Sequence, residues 1–217
     1  MIGKAGIVPL VKQKLGLSAN IERIWDCRAE EFERKHWKER GLGLNLSRPF
    51  MDEQKQEKML FEELRKLNLD GKHFFELGCG YGKFIMLAMK EFPNSSFAGF
   101  DFSTKMVELA KKNLPNIDIF CSDLNKMEFE QHDVIFSQDC LDHLTDKQMK
   151  RLAPKLVEAT KEYLVFVERY AYKYYAHPNN FVFWHNYPEV FKEMELVTFE
   201  RVERHQEHHL MIFKKKA

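Results

Sequence analysis

From Lys72 onward, short apolar runs alternate with stretches of helical length and periodicity, and this alternation most constrains what the chain can fold into. His73–Leu77, Ser96–Phe100, Ile117–Cys121, Asp133–Ser137 and Tyr163–Glu168 read as strands. Stretches such as Lys83–Phe92 and Thr104–Leu114 read as helices between them. A strand joined to the next by a helical crossover returns parallel to it, and the helices cover both faces, so the pattern predicts a doubly wound α/β sheet. Ser103 is expected to cap the helix after the second strand. Thr145-Asp-Lys-Gln148 has the spacing of a capping box before the helix leading to the fifth strand. Pro154 should kink or split that helix. Leu196–Arg204 and His208–Lys214 are separated by a few residues only, which predicts an antiparallel hairpin at a sheet edge.

The segment before Lys72 has a different pattern. Ile21–Arg40 places Ile21, Ile24, Trp25, Ala29 and Phe32 at helical spacing, with Glu30/Arg34 and Glu31/Lys35 four apart on the opposite face. Gly41–Pro49 is a loop by its glycines and proline. Asp52 is expected to cap a second helix carrying Leu60, Leu64 and Leu67. The organisation expected is a helical cap over residues 1–70, with Trp25 and Trp37 as packing residues, on a core of residues 71–217.

A length of 217 residues suits one such core with an appendage. Lysine and arginine number 34 against 33 acidic residues, so the net charge of +1 offers no electrostatic footing for a polyanionic partner. No apolar run is long enough to span a bilayer, and the N-terminus lacks a secretory pattern, so a cytoplasmic protein acting away from membranes is expected. Cys27, Cys79, Cys121 and Cys140 stand far apart, without a C-x-x-C pair, and are expected to be free, buried thiols.

The chemistry concentrates in Phe74-Phe-Glu-Leu-Gly-Cys-Gly-Tyr-Gly-Lys-Phe84. Glycines at 78, 80 and 82 between a strand and a helix let the backbone turn sharply and approach a ligand closely. The spacing is G-x-G-x-G, preceded by Glu76, and differs from the G-x-G-x-x-G of a dinucleotide pyrophosphate site. Asp101, in Gly99-Phe-Asp101-Phe-Ser, ends the next strand, where a doubly wound fold places a carboxylate for a ribose diol. Cys121-Ser-Asp123-Leu puts another acid just past the third strand. The fourth strand runs from Asp133 through Gln138-Asp139-Cys140-Leu-Asp142 to His143.

This ordered set resembles the class I S-adenosylmethionine-dependent methyltransferases, with ELGCGYG, GFDFS, CSDL and DVIFSQDCLDHL as their successive motifs. The resemblance covers about Lys72–Glu168. It implies a Rossmann-like seven-stranded sheet, mostly parallel with an antiparallel last strand. It also implies S-adenosylmethionine as cofactor, leaving as S-adenosylhomocysteine. Carried onto these positions, Glu76 lies near the methionine ammonium, Gly78, Cys79 and Gly80 run along the cofactor, and Asp101 takes the ribose hydroxyls. Phe102 packs on the adenine, Asp123 accepts from its amino group beside Leu124, and Gln138 lines the methionine end.

Methyl transfer from a sulfonium needs alignment and a dry site, and needs a base only where the acceptor loses a proton. His143 is the first candidate for that role and Asp139 the second candidate catalytic residue. Asp139, Asp142 and Glu168 could alternatively gather a divalent metal, although none is assigned. Tyr163–Phe191 holds 11 of the chain's 29 aromatic residues. In this family such a segment commonly builds the acceptor pocket, which nominates Tyr170, Tyr172, Tyr175, His177, Trp184 and His185 as acceptor contacts. A metal site at His205, His208 and His209 is disfavoured because alternate strand residues face opposite ways. The reading is an enzyme that methylates an oxygen or nitrogen of a small molecule, as a monomer or homodimer, without nucleic acid. The rivals are an RNA or protein methyltransferase, a non-catalytic cofactor-binding subunit and, last, a nicotinamide oxidoreductase.

Overall fold

The computed structural model describes residues 25–26, 29–30, 51–176, 182–202 and 208–216, with the backbone only for 51–56. Trp25, Asp26, Ala29 and Glu30 are helical. The elements that follow are α1 (Met51–Arg65), β1 (His73–Leu77), α2 (Lys83–Glu91), β2 (Ser96–Asp101), α3 (Thr104–Asn113) and β3 (Asp118–Cys121). Next come β4 (His132–Gln138), a 3₁₀ turn (Leu141–His143), α4 (Asp146–Ala159) and β5 (Thr160–Arg169). The chain continues with β6 (Tyr175–Ala176), β7 (Phe183–Trp184), α5 (Tyr187–Val190), β8 (Glu195–Arg201) and β9 (His208–Lys214).

Seven strands form one sheet in the order β3-β2-β1-β4-β5-β9-β8. The first five run parallel, β9 is antiparallel to β5, and β8 pairs antiparallel with β9 at the edge. This is the doubly wound sheet that the sequence pattern predicts, with the antiparallel last strand that the resemblance implies. The order reverses at β1, which has β2 on one side and β4 on the other. The crevice outside the carboxyl ends at such a switch point is where open α/β sheets bind ligands.

Parallel strands are covered on both faces, so adjacent residues enter different cores. Phe74, Val134, Phe136 and Val165 pack with Leu60, Phe61 and Leu64 of α1 and Phe84 and Ile85 of α2. Phe75, Ile135, Leu164 and Phe166 pack on the other face with Leu152 and Leu156 of α4. Tyr187, Phe191 and Phe213 join this second core, and Phe166 lies 5.1 Å from Phe191 and 5.8 Å from Phe213 between ring centres. Part of the aromatic excess is therefore sheet cover.

Local signals hold well where the chemistry is local. Ser103 Oγ accepts the Met106 N–H at 3.2 Å. Thr145 and Gln148 form the reciprocal capping box. Other expectations change. Asp52 lies in the first turn of α1 instead of capping it, because the helix already includes Met51. Pro154 does not split α4, which runs unbroken to Ala159 with Met149, Leu152, Ala153, Leu156 and Ala159 buried along one face. That burial outweighs the one lost backbone donor. Of the cysteines, Cys79 is buried, but Cys121 is exposed and Cys140 half-buried. Cys27 falls outside the described residues, as do Trp37, His177, His205, the loop 41–49 and most of the helix expected over 21–40.

At the opposite end of the sheet from the switch-point crevice, His132 is 7% exposed and stacks on Phe75 at 4.3 Å. Burial, reinforced by the nearby His73 and Lys161 charges, lowers its pKa to about 4. The unfolded chain therefore takes up a proton near the ordinary value of 6.5 that the folded chain refuses until about 4. Its contribution to stability is complete above that window and is lost as pH falls through it, on the order of 2–3 kcal/mol. Thermal unfolding from pH 4 to 7 should show a decline in acid that His132→Leu flattens. Parallel wild-type and variant curves would refute this.

Candidate active site

The turn after β1 is built by glycine. Gly78 and Gly80 have φ of 66° and 53°, the left-handed region that side chains other than glycine's rarely occupy. The turn is pinned from β2: the Cys79 N–H donates to the Phe100 carbonyl at 2.8 Å, and the Gly80 N–H to Asp101 Oδ2 at 2.8 Å. Asp101 Oδ1 accepts the Ser103 N–H at 2.8 Å, so one carboxylate ties the glycine turn to the start of α3. Burial raises the Asp101 carboxyl, while the Ser103 and Gly80 amides pull the other way.

These groups open onto a cavity of about 330 Å³ over the carboxyl ends of the strands. Every residue expected to hold the cofactor lines it: Glu76, Gly78, Cys79, Gly80, Asp101, Phe102, Asp123, Leu124 and Gln138. Glu76 is 5% exposed, and its Oε2 is buried without a hydrogen-bond partner. Burial and the Asp101 charge push its carboxyl well above the usual range. A buried carboxylate oxygen without a donor is costly and calls for one. Asp123 forms an Asx turn, accepting the Asn125 N–H at 2.9 Å, and faces Lys126 at 3.4 Å. Its burial acts to raise the pKa, but the Asn125 and Lys126 contacts outweigh it and hold the carboxyl below the usual range.

The two catalytic candidates also line the cavity but differ in availability. His143, in the 3₁₀ turn, meets Trp25 edge-on at 5.7 Å between ring centres, and its Nε2 lies 3.6 Å from Asp142 Oδ1. Asp139, at φ 50°, is engaged twice: its Oδ1 lies 3.1 Å from Arg169 Nη1 and 2.7 Å from His208 Nε2. Burial alone would raise its pKa, but these partners, His208 foremost, lower it. Both contacts fall on the same carboxylate oxygen. Asp142 also pairs with Arg169, and the Glu168 carboxylate receives backbone amides, so neither converges with Asp139 on a metal. Among the described residues no group of three or more potential ligands gathers as a metal site.

The described acceptor candidates, Tyr170, Tyr172, Tyr175, Trp184 and His185, do not line the cavity. Tyr170 packs on Phe199 and His209 beside the β8–β9 hairpin, with ring centres 5.0 and 5.1 Å away. Tyr172 is 77% exposed, and Tyr175 pairs with Trp184 across the small β6–β7 ribbon. His185 is buried, its Nε2 2.8 Å from the Leu144 carbonyl. The aromatic residues that line the cavity instead include Trp25, Tyr81 and Phe183, with Phe84 of α2 and Phe100 and Phe102 at the end of β2. Phe183 precedes Trp184 on a strand, and alternation sends the two to opposite faces. Trp25 belongs to a segment held by Asp26, whose Oδ1 accepts the Ser103 hydroxyl at 2.5 Å, and by Ala29, packed on Tyr81, Met106 and Leu109.

A family model described as a methyltransferase domain matches residues 74–162, the stretch from β1 into β5 that carries the glycine turn, Asp101, Asp123 and His143. These residues thus match a methyltransferase domain, as the resemblance to the class I S-adenosylmethionine-dependent methyltransferases implies. The chain is 34% identical over 88 residues to a malonyl-[acyl-carrier protein] O-methyltransferase of Priestia megaterium, covering 36% of this chain and 32% of that one. It is 27% identical over 140 residues to phosphoethanolamine N-methyltransferase 3 of Arabidopsis thaliana, covering 60% and 29%. The chain thus spans about a third of the length of these curated relatives. Its fold is similar to magnesium protoporphyrin IX methyltransferase of Synechocystis PCC 6803 with bound SAH. The TM-score is 0.72 at 12% identity, over 91% of this chain and 99% of that one.

Proposed function

We propose that this protein transfers a methyl group from S-adenosylmethionine to an oxygen or nitrogen of a small-molecule acceptor. The observation that carries the reading is one cavity with two unlike walls. The first holds the glycine turn, the partnerless Glu76 oxygen and Asp101; the second holds His143, Trp25 and Phe183. The first wall fits the cofactor: an ammonium would satisfy Glu76, and the space beside Gly80, where an added Cβ meets nothing within 4 Å, admits a ligand backbone. When bound, the cofactor supplies an electrophilic methyl on a sulfonium.

The chain's own residues then bind, orient and take a proton. Asp101 receives the ribose hydroxyls and Glu76 the ammonium. His143 accepts the proton that an O–H or N–H acceptor loses, with Asp142 Oδ1 beside its Nε2 to stabilise the imidazolium. The names of the relatives include both O- and N-methyltransferases, so both acceptor atoms stay in the proposal. The near-neutral charge supports a small acceptor over nucleic acid. No helix among the described residues is long and apolar enough to cross a membrane. A cytoplasmic monomer or homodimer, with residues 1–70 as a helical cap over the core, completes the reading.

The test is transfer of tritiated methyl from S-adenosylmethionine to panels of phenols, carboxylic acids and amines. Labelled small product supports the reading; S-adenosylhomocysteine binding with no transfer to any panel would leave a non-catalytic subunit. With a working acceptor, His143→Ala should lower kcat about 10²-fold or more at saturating cofactor, with the S-adenosylhomocysteine Kd nearly unchanged. Unaltered rates across pH 6–9 would assign His143 to structure.

A further inference from the structure

We propose that Glu168 is the positioning residue of this site, its buried carboxylate setting the backbone of residues 137–142 that brings Gln138, Cys140 and His143 to the cavity. The ligand readout used below rests on the cofactor reading above; a second readout does not.

Glu168 is 0% exposed near the end of β5, beside the point where the chain leaves β4. Its Oε1 accepts the Ser137 hydroxyl at 2.6 Å and the N–H groups of Cys140 and Leu141, both at 3.1 Å. Its Oε2 accepts the Asp142 N–H at 3.3 Å. Four donors from one short segment thus converge on one carboxylate. The segment needs such a partner, because Asp139 holds a left-handed φ of 50° and the 3₁₀ turn begins immediately after Cys140. The first amides of a helical turn have no carbonyl behind them. A desolvated carboxylate tolerates its burial only when its lone pairs are met, and these amides meet them.

The neighbouring Arg169 holds the same segment by its side chains, pairing with Asp139 and Asp142. The segment in turn shapes the cofactor wall. A Cβ placed on Gly78 would stand 2.6 Å from Cys140 Sγ and 2.8 Å from Cys140 Cβ, so the glycine turn is seated against Cys140. A shift of residues 137–142 therefore moves both walls of the cavity together, although Glu168 is not among the residues lining it.

Glu168→Gln keeps the shape but can keep an acceptor oxygen at only one end, so at least one buried amide loses its partner. It should raise the S-adenosylhomocysteine Kd, measured by calorimetry, about tenfold, as for one lost charged hydrogen bond. Ser137→Ala removes one donor and leaves the Glu168 carboxyl group in place. It should weaken binding less, and should speed alkylation of Cys140 by iodoacetamide, followed by peptide mass spectrometry. Thermal midpoints are recorded for each protein. A lowered midpoint in Glu168→Gln with a wild-type Kd, together with a wild-type Cys140 rate in Ser137→Ala, would reduce Glu168 to a stability residue and overturn the proposal. If Glu168→Gln does not fold, Ser137→Ala decides by both readouts. If the wild-type protein does not bind S-adenosylhomocysteine, the cofactor reading fails and the Cys140 rate alone decides the role of Glu168.

Discussion

Asp101→Ala is expected to raise the S-adenosylhomocysteine dissociation constant at least tenfold while leaving the protein folded. Each Asp101 oxygen accepts one backbone N–H, from Gly80 or Ser103, and keeps further lone pairs for a ligand in the cavity. A hydrogen bond to a charged group contributes about 1.5–3 kcal/mol, and about 1.4 kcal/mol is a factor of ten. The alanine variant loses the ligand's bonds and also frees the Gly80 amide, so the turn is less well ordered before binding. Asp101 belongs to the edge of the site and not to the sheet's apolar cores, so the thermal midpoint should fall by a few degrees only. Because burial raises the Asp101 carboxyl, wild-type affinity should weaken on acidification sooner than an ordinary carboxylate would predict. Calorimetry across pH on both proteins tests this. An unchanged constant in Asp101→Ala would remove the ribose role.

The wall of this cavity assigned above to the cofactor is readable in the chain because each of its signals is local. A strand, a glycine turn and a helix are contiguous in Phe74–Phe84, and Asp101 and Asp123 follow at the ends of the next strands. Parallel register then does the rest, pairing Leu77 with Phe100 and with Ser137, so consecutive strand ends arrive at one level. The wall assigned to the acceptor is illegible for the opposite reason. Trp25 reaches His143 from a segment more than a hundred residues earlier, and its apolar helical spacing predicts burial without saying against what. Trp184 and Phe183 have equal chemical appeal in sequence, and only the parity of a two-residue strand sends Phe183 to the cavity. The Asp139–Arg169–His208 cluster joins β4, β5 and β9. That adjacency requires the antiparallel insertion of β9 beside β5, with Arg169 opposite His208, a register that hydrophobic spacing does not specify. An acid just past a strand end reads as a catalytic candidate in sequence, whereas its contacts with Arg169 and His208 emerge only from the fold.

Two glycine substitutions in the same turn should fail in different ways, and the difference locates the ligand. Gly78→Ala must adopt a left-handed φ, which costs an L-residue about 1–2 kcal/mol. Its new methyl also enters space held by Cys140, an overlap of the kind that costs about 1–3 kcal/mol. Together these should lower the thermal midpoint by roughly 5–15 °C for a chain of this size. Gly80→Ala carries a similar backbone penalty, but nothing lies within 4 Å of its Cβ, so the midpoint should fall by a few degrees. Its methyl instead projects into the space assigned to the cofactor beside Asp101, and S-adenosylhomocysteine binding should drop below detection in calorimetry. Gly78→Ala is thus chiefly a stability variant and Gly80→Ala chiefly a binding variant. If Gly80→Ala binds as wild type does, the open space beside the turn is not the path of the cofactor, and the assignment of this wall fails whatever Gly78→Ala does to stability.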